Sequence, residues 1–171
     1  MDIEELLSRF IDHVNKLRSA RFVCSAQTAV EGWFRVEVVP VLEDMGIPLN
    51  RINPRFHING GQADLAVEKE DGYVVFEFMC FVKGADSEKK RRFPQQLDRL
   101  ERAVTKRRIT QGIAFVTFSG YSNTQPENLI KKFFGKRDWK TKGPLEVVSG
   151  HPLRICLGSF NNPRDEELLL T

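Results

Sequence analysis

Residues 62–83 read QADLAVEKEDGYVVFEFMCFVK, and this stretch decides the fold. The turn signal Glu70-Asp71-Gly72 divides it into two predicted strands, 62–68 and 73–83. The second strand is apolar at both odd and even positions, which is typical of a central strand covered on both faces. Glu77 is the one charged residue inside this apolar run.

The surrounding pattern predicts an α/β domain with a central mixed β-sheet flanked by helices. Another strand, 55–59, precedes Gly60-Gly61, so the three strands form an antiparallel meander. The other predicted elements are helices 2–18, 25–45, 86–107 and 125–134, a buried strand 112–118, and short strands 145–148 and 153–157. Pro40 predicts a kink or an end in the second helix. We expect a single domain over 1–171, with its core at about 25–135 and a C-terminal extension over 136–171.

The composition excludes several protein classes. The longest apolar run, 73–82, is well short of the ~20 residues that a membrane helix needs. Cys24, Cys80 and Cys156 are far apart and form no Cys-x-x-Cys pair, which argues against a disulfide framework and a zinc ribbon. We therefore expect a cytoplasmic protein that does not bind membranes.

Charge is segregated along the chain. Residues 1–82 carry 8 basic and 13 acidic side chains, residues 83–142 carry 16 and 6, and residues 143–171 carry 2 and 4. The middle third therefore has a net charge of +10, which is typical either of a polyanion-binding surface or of solvated helix faces. The candidate nucleic-acid-binding residues are Lys89, Lys90, Arg91, Arg92, Lys131, Lys132, Lys136, Arg137 and Lys140. The interleaved Phe133, Phe134 and Trp139 belong either to a base-stacking surface or to the core.

Two carboxylates stand out on the meander. Asp64 lies in the second strand and Glu77 in the third, and a turn that pairs residue 64 with a residue near 77–80 brings both to one face. Glu37 lies in the apolar stripe of helix 25–45, where it is a third ligand, lies at the edge of the stripe, or forms an ion pair with an Arg such as Arg35. Three such carboxylates would supply oxygen ligands to Mg²⁺ or Mn²⁺.

Taken in order, these residues resemble the PD-(D/E)XK nuclease superfamily, which has a restriction-endonuclease-like fold with an αβββαβ core. The resemblance covers about residues 25–135 and implies metal ligands at Asp64, Glu77 and Glu37. Gln95-Gln96-Leu97 is similar to an extra motif of the RecB-like branch, in which a Gln projects near the active site, and the resemblance implies Gln96 or Gln95 for that residue. The implied function is hydrolysis of phosphodiester bonds with Mg²⁺ or Mn²⁺, in DNA rather than RNA. Nucleases of this fold often work as homodimers or in larger complexes.

Met79 stands where the family has a catalytic Lys. A thioether supplies neither a proton donor nor a positive charge. Three explanations stay open. The amine has migrated to Lys83, Lys89 or Lys90, or Gln96 takes over its role; Met79 is a deliberate inactivating substitution; or the chain is a degenerate nuclease that only binds nucleic acid or a protein.

Overall fold

The computed structural model describes residues 1–25, 30–58, 61–105, 108–122 and 124–162. Residues 163–171, which end the predicted C-terminal extension, lie outside the described residues. The helices are α1 (Ile3–Lys16), α2 (Ala20–Ser25), α3 (Glu31–Asp44), α4 (Ser87–Val104) and α5 (Thr124–Phe134), with a short 3-10 helix at Leu49–Arg51. The strands are β1 (Ile52–Ile58), β2 (Gly61–Lys69), β3 (Gly72–Val82), β4 (Ile109–Ser119), β5 (Lys140–Glu146) and β6 (Leu153–Asn161).

The strands form one mixed sheet in the order β1-β2-β3-β4-β6-β5. β3 and β4 are parallel, and the other neighbours are antiparallel. Two parallel strands need a crossover connection, and α4 supplies it between β3 and β4. The predicted α/β class, with a central mixed sheet flanked by helices, is confirmed.

Side chains of β3 alternate between two apolar cores. Phe76 and Phe78 pack in the core formed with α1 and α3. Met79 and Phe81 pack in the core formed with α4 and α5. Because successive side chains of a strand point to opposite faces, this central strand is apolar at both odd and even positions. Glu77 shares the α4 face with Met79.

The predicted helix 25–45 is wrong in its extent. The structure has α2 ending at Ser25 and α3 beginning at Glu31, and residues 26–29 lie outside the described residues. Pro40 neither ends α3 nor starts a new helix. A proline in a helix leaves the carbonyl four residues earlier without its usual partner. That residue is Val36, which is 65% exposed, so water can solvate its carbonyl.

The C-terminal segment belongs to the sheet. β6 lies between β4 and β5, and it pairs with β4 from Gln111↔Asn161 to Ser119↔Leu153. The predicted strand 153–157 is the first part of β6, whereas the predicted strand 145–148 is misplaced, because β5 ends at Glu146. None of the helices in the described residues is long and apolar enough to cross a bilayer.

Candidate active site

Asp64 and Glu77 lie side by side, as the sequence predicted. The antiparallel register pairs Leu65 of β2 with Phe76 of β3, so Asp64 and Glu77 are the next residues along the two strands. Both side chains line a cavity of about 440 Å³ at the point where the two strands diverge.

Where β2 and β3 diverge, the Asp64 side chain replaces a backbone group as the hydrogen-bond acceptor. Regular pairing between β2 and β3 ends at Leu65, and the Phe78 N–H donates instead to Asp64 Oδ2 at 2.9 Å. The other carboxylate oxygen lies 3.5 Å from Arg35 Nη1 on α3. The backbone bond and the arginine therefore hold the Asp64 carboxylate at the cavity wall.

Glu77 is the most deeply buried carboxylate of the cavity. It is 6% exposed, and Arg99 Nη2 of α4 donates to its Oε1 at 2.5 Å. Burial raises the pKa of Glu77 from 4.5 to about 7, because desolvation disfavours the charged form. Arg99 lowers this pKa in part, and the nearby Asp64 charge raises it.

Glu31 is the third carboxylate of the cavity, in place of Glu37. Glu31 Oε1 accepts a hydrogen bond from the Cys80 N–H at 2.8 Å and also contacts the Lys89 amine. Phe78 and Cys80 are two residues apart, so their N–H groups face the same strand edge about 7 Å apart. Asp64 and Glu31 therefore accept hydrogen bonds from two successive N–H groups on the edge of β3 that faces away from β4.

The prediction that Glu37 is an outer metal ligand is wrong. Its carboxylate lies 2.9 Å from His13 Nε2 of α1, and Glu37 is not among the described residues that line the cavity. Glu31 and Glu37 are six residues apart, which separates them by about 120° around the helix axis. Arg35, four residues after Glu31, returns to the cavity side. The predicted alternative, an ion pair of Glu37 with an Arg such as Arg35, is also wrong, because Arg35 lies against Asp64 and the partner of Glu37 is His13.

One face of α4 forms the opposite wall of the cavity. Four of its residues line the cavity at helical spacings of three and four: Lys89, Arg92, Gln96 and Arg99. Gln96 Oε1 is buried and accepts no hydrogen bond from the described residues. This spacing is visible in the sequence and would have identified Arg99, which sequence reasoning missed together with Glu31, Arg35 and Gln62.

Met79 lines the cavity beside Lys89. Met79 is 7% exposed, and its neighbour Cys80 accepts a hydrogen bond from Lys89 Nζ at 3.1 Å through its carbonyl oxygen. Lys83 follows β3 in an exposed turn and is not among the described cavity residues. Lys90 pairs instead with Asp86 and lies over the Tyr121 ring. Of the lysines considered as replacements, the structure brings Lys89 to the position beside Met79.

The nine predicted nucleic-acid-binding residues differ in exposure, and Lys89 and Lys90 are half-buried and pair with Glu31 and Asp86. Six are exposed: Arg91, Arg92, Lys131, Lys132, Lys136 and Lys140. Arg137, by contrast, is committed to internal ion pairs at 2.7 Å with both Asp98 and Glu101. Its side chain is 18% exposed, so we withdraw it from the predicted surface.

The aromatic residues near this basic segment belong to the core. Phe133 and Phe134 are each 3% exposed and Trp139 is 8% exposed. The Trp139 indole donates to Glu101 Oε1 at 2.6 Å. The base-stacking interpretation of these three residues is therefore wrong.

Asp64 and Glu77 fit Mg²⁺ in kind and in number. Mg²⁺ takes oxygen ligands and is commonly held by one or two carboxylates, with water and substrate phosphates completing its shell. A cation beside Glu77 would favour its ionised form, which burial disfavours. Among the described residues, no group of three or more His, Cys, Asp or Glu side chains is placed to hold a metal ion. The fit therefore rests on two carboxylates.

Comparison of the chain with family models, with curated proteins and with solved structures gives no match. The resemblance to the PD-(D/E)XK superfamily therefore stays a prediction that rests on the motif residues.

Proposed function

We propose that this protein is a metal-dependent nuclease that hydrolyses phosphodiester bonds, in DNA rather than RNA. The observation that carries the proposal is the placement of Asp64 and Glu77 on one wall of a cavity whose other wall carries Lys89 and Gln96. This is the combination that phosphodiester hydrolysis needs: carboxylates for a metal, and a positive charge beside the reacting phosphate.

Asp64 and Glu77 are the residues that would hold Mg²⁺ or Mn²⁺. When bound, the ion would lower the pKa of a water ligand and neutralise charge on the phosphate. Asp64 is held in place by the Phe78 N–H, so it needs little rearrangement to serve as a ligand. Attack forms a bond from the water oxygen to phosphorus, breaks the bond to the leaving oxygen, and releases the proton of the water to solvent.

Lys89 supplies the charge that Met79 lacks. Its amine already reaches the backbone of Cys80, one residue beyond Met79, and its three donors suit a phosphate oxygen or a water. Gln96 offers in the same cavity an amide oxygen to which no described residue donates, and this oxygen can accept a hydrogen bond from the attacking water. Met79 itself contributes apolar surface.

The exposed basic residues would hold the nucleic-acid backbone. Arg92 lines the cavity and is exposed, so it connects the site with the basic residues outside it. Binding through phosphate contacts releases counterions and should weaken steeply as salt rises. A cytoplasmic location and a homodimer or larger complex belong to the same proposal.

A degenerate nuclease that only binds nucleic acid is the second candidate. The observation that favours it is that Glu31, Asp64 and Glu77 each already pair with a cation of the cavity. Calorimetry with Mn²⁺ separates the two candidates, because the binding module needs no metal site.

The test of the proposed function is cleavage of supercoiled plasmid and single-stranded DNA with Mg²⁺ or Mn²⁺. The wild type should cut, Asp64→Asn and Glu77→Gln should lose at least about 100-fold of the rate, and EDTA should abolish cutting. Lys83→Met is the matched control, since Lys83 is exposed and outside the cavity. Cleavage that survives Asp64→Asn unchanged would refute the proposal.

A further inference from the structure

Every carboxylate that lines the cavity is paired with a cation that lines the same cavity. Glu31 pairs with Lys89, Asp64 lies 3.5 Å from Arg35, and Glu77 lies 2.5 Å from Arg99. A metal ion and these cations therefore compete for the same oxygen atoms.

Arg99 occupies a position that the backbone makes room for. A Cβ atom on Gly61 would lie 2.9 Å from Arg99 Nη1, and Gly61 has a φ of +152°, which favours glycine. The absence of a side chain at the start of β2 lets the guanidinium reach Glu77. A side chain at this position would crowd the guanidinium beside Glu77.

Arg99 nevertheless has spare hydrogen-bonding capacity. Its Nε is buried and donates to no acceptor among the described residues. A guanidinium carries five donors in a planar fork that matches phosphate oxygens, and a buried donor without an acceptor is unfavourable. An incoming phosphate group would supply acceptors that Glu77 alone does not.

We propose that Arg99 and Arg35 exchange partners when substrate and metal bind together. Glu77 and Asp64 would hold the metal ion, and the two released guanidinium groups would bind phosphate oxygens of the nucleic acid. This inference rests on the proposed function and adds a coupling to it. A metal ion that binds alone must break the ion pairs of Arg99 and Arg35 with the carboxylates. Nucleic acid that binds alone must break the same ion pairs. When one ligand has broken them, the other ligand binds without that cost.

The coupling must be reciprocal. If metal raises the affinity for nucleic acid by a certain factor, nucleic acid raises the affinity for metal by the same factor. Removing Arg99 breaks the exchange in a characteristic way: metal alone binds Glu77 more tightly, while the gain from adding nucleic acid shrinks. A purely structural role of Arg99 would not tighten metal binding.

The experiment measures Mn²⁺ binding by electron paramagnetic resonance, and binding of a labelled short single-stranded phosphorothioate oligonucleotide by fluorescence anisotropy. In the wild type, saturating Mn²⁺ should tighten oligonucleotide binding on the order of 10-fold, within the usual ~5–150-fold range of such couplings. In Arg99→Gln, Mn²⁺ alone should bind on the order of 10-fold more tightly, and the coupling should fall below about 2-fold. Arg102→Gln is the matched control, because Arg102 is exposed on the same helix and donates to the Asp98 carbonyl.

Arg35→Gln provides a second variant at a more exposed pair, should Arg99→Gln fail to fold. Arg35→Gln should also bind Mn²⁺ more tightly and show weaker coupling between Mn²⁺ and the oligonucleotide, and both changes should be smaller than in Arg99→Gln. Equal Mn²⁺ binding by the wild type and both variants, without coupling, would overturn the exchange and leave the metal site intact. No Mn²⁺ binding by any of these proteins would overturn the proposed function as well.

Discussion

Ionisation of Glu77 should make the protein less stable as pH rises. The pKa of this carboxyl group is raised from 4.5 to about 7 in the folded protein. The folded state therefore holds the proton more tightly than the unfolded chain. Its contribution to stability is fully present below about pH 4.5 and is lost as pH rises through about 7.

The size of this effect follows from the shift. Each pKa unit corresponds to about 1.4 kcal/mol, so a change from 4.5 to about 7 corresponds to about 3 kcal/mol. Glu77 is only 6% exposed, so solvent screens little of this energy. Gln resembles the protonated carboxyl group in shape and charge and does not titrate. Relative to Glu77→Gln, the wild type should thus lose about 3 kcal/mol of unfolding free energy between pH 4.5 and pH 8.

Urea unfolding at a series of pH values, with EDTA present, measures this difference directly. Comparison of the two proteins at each pH cancels the other titrating groups, and Glu88→Gln is the control for loss of an exposed carboxylate. A difference between wild type and Glu77→Gln that stays constant over this range would refute the reasoning. Mg²⁺ should restore part of the lost stability above pH 7, since it would bind the ionised carboxylate.

Three further results are expected from variants of residues other than the cavity carboxylates. Arg137→Gln should lower the unfolding free energy by about 2 kcal/mol, since Arg137 bonds two carboxylates; an unchanged urea midpoint would argue against this. Lys132→Gln should leave that midpoint unchanged and reduce the salt slope of DNA binding by about 1, as titrations at several salt concentrations would show. Phe115→Ala should cost about 3–5 kcal/mol in thermal or urea unfolding, because its ring is fully buried against Phe10 and Phe34; a loss below about 1 kcal/mol would contradict the assigned core.

The meander and its two carboxylates were predictable because their signals are local. A tight turn joins β2 and β3, so the register that brings Asp64 to Glu77 follows from few residues. The run through β3 is apolar on both faces, which predicted a central strand. These inferences needed no knowledge of how distant elements pack.

The sequence could not identify Glu31 as the third carboxylate of the cavity, because it did not show at which residue α3 begins. A helix places residues on a face according to its phase, and the predicted helix began near Ser25, whereas α3 begins at Glu31. Glu37 looked favourable because it interrupts an apolar stripe. Its neighbour His13 comes from α1, and no local pattern shows that contact.

The count of basic residues overestimated the exposed basic surface, because it does not show ion pairs between residues that are distant in sequence. A count assigns Arg137 to the surface, but its partners Asp98 and Glu101 lie on α4, far away in sequence. The replacement for the missing lysine was also left open between several residues. Only the crossover of α4 over the sheet shows that Lys89 returns to the edge of β3.

In the proposed nuclease site, Asp64 and Glu77 hold the metal ion, and Lys89 takes the role of the lysine that the resemblance expects at position 79. Moving the lysine from position 89 to position 79 tests this role: Mg²⁺-dependent plasmid cleavage is compared for wild type, Lys89→Met, and the double variant Lys89→Met with Met79→Lys. We expect cleavage by the wild type, loss of at least about 10-fold in Lys89→Met, and recovery in the double variant. Undiminished cleavage by Lys89→Met, or no cleavage by any of the three proteins, would contradict this account.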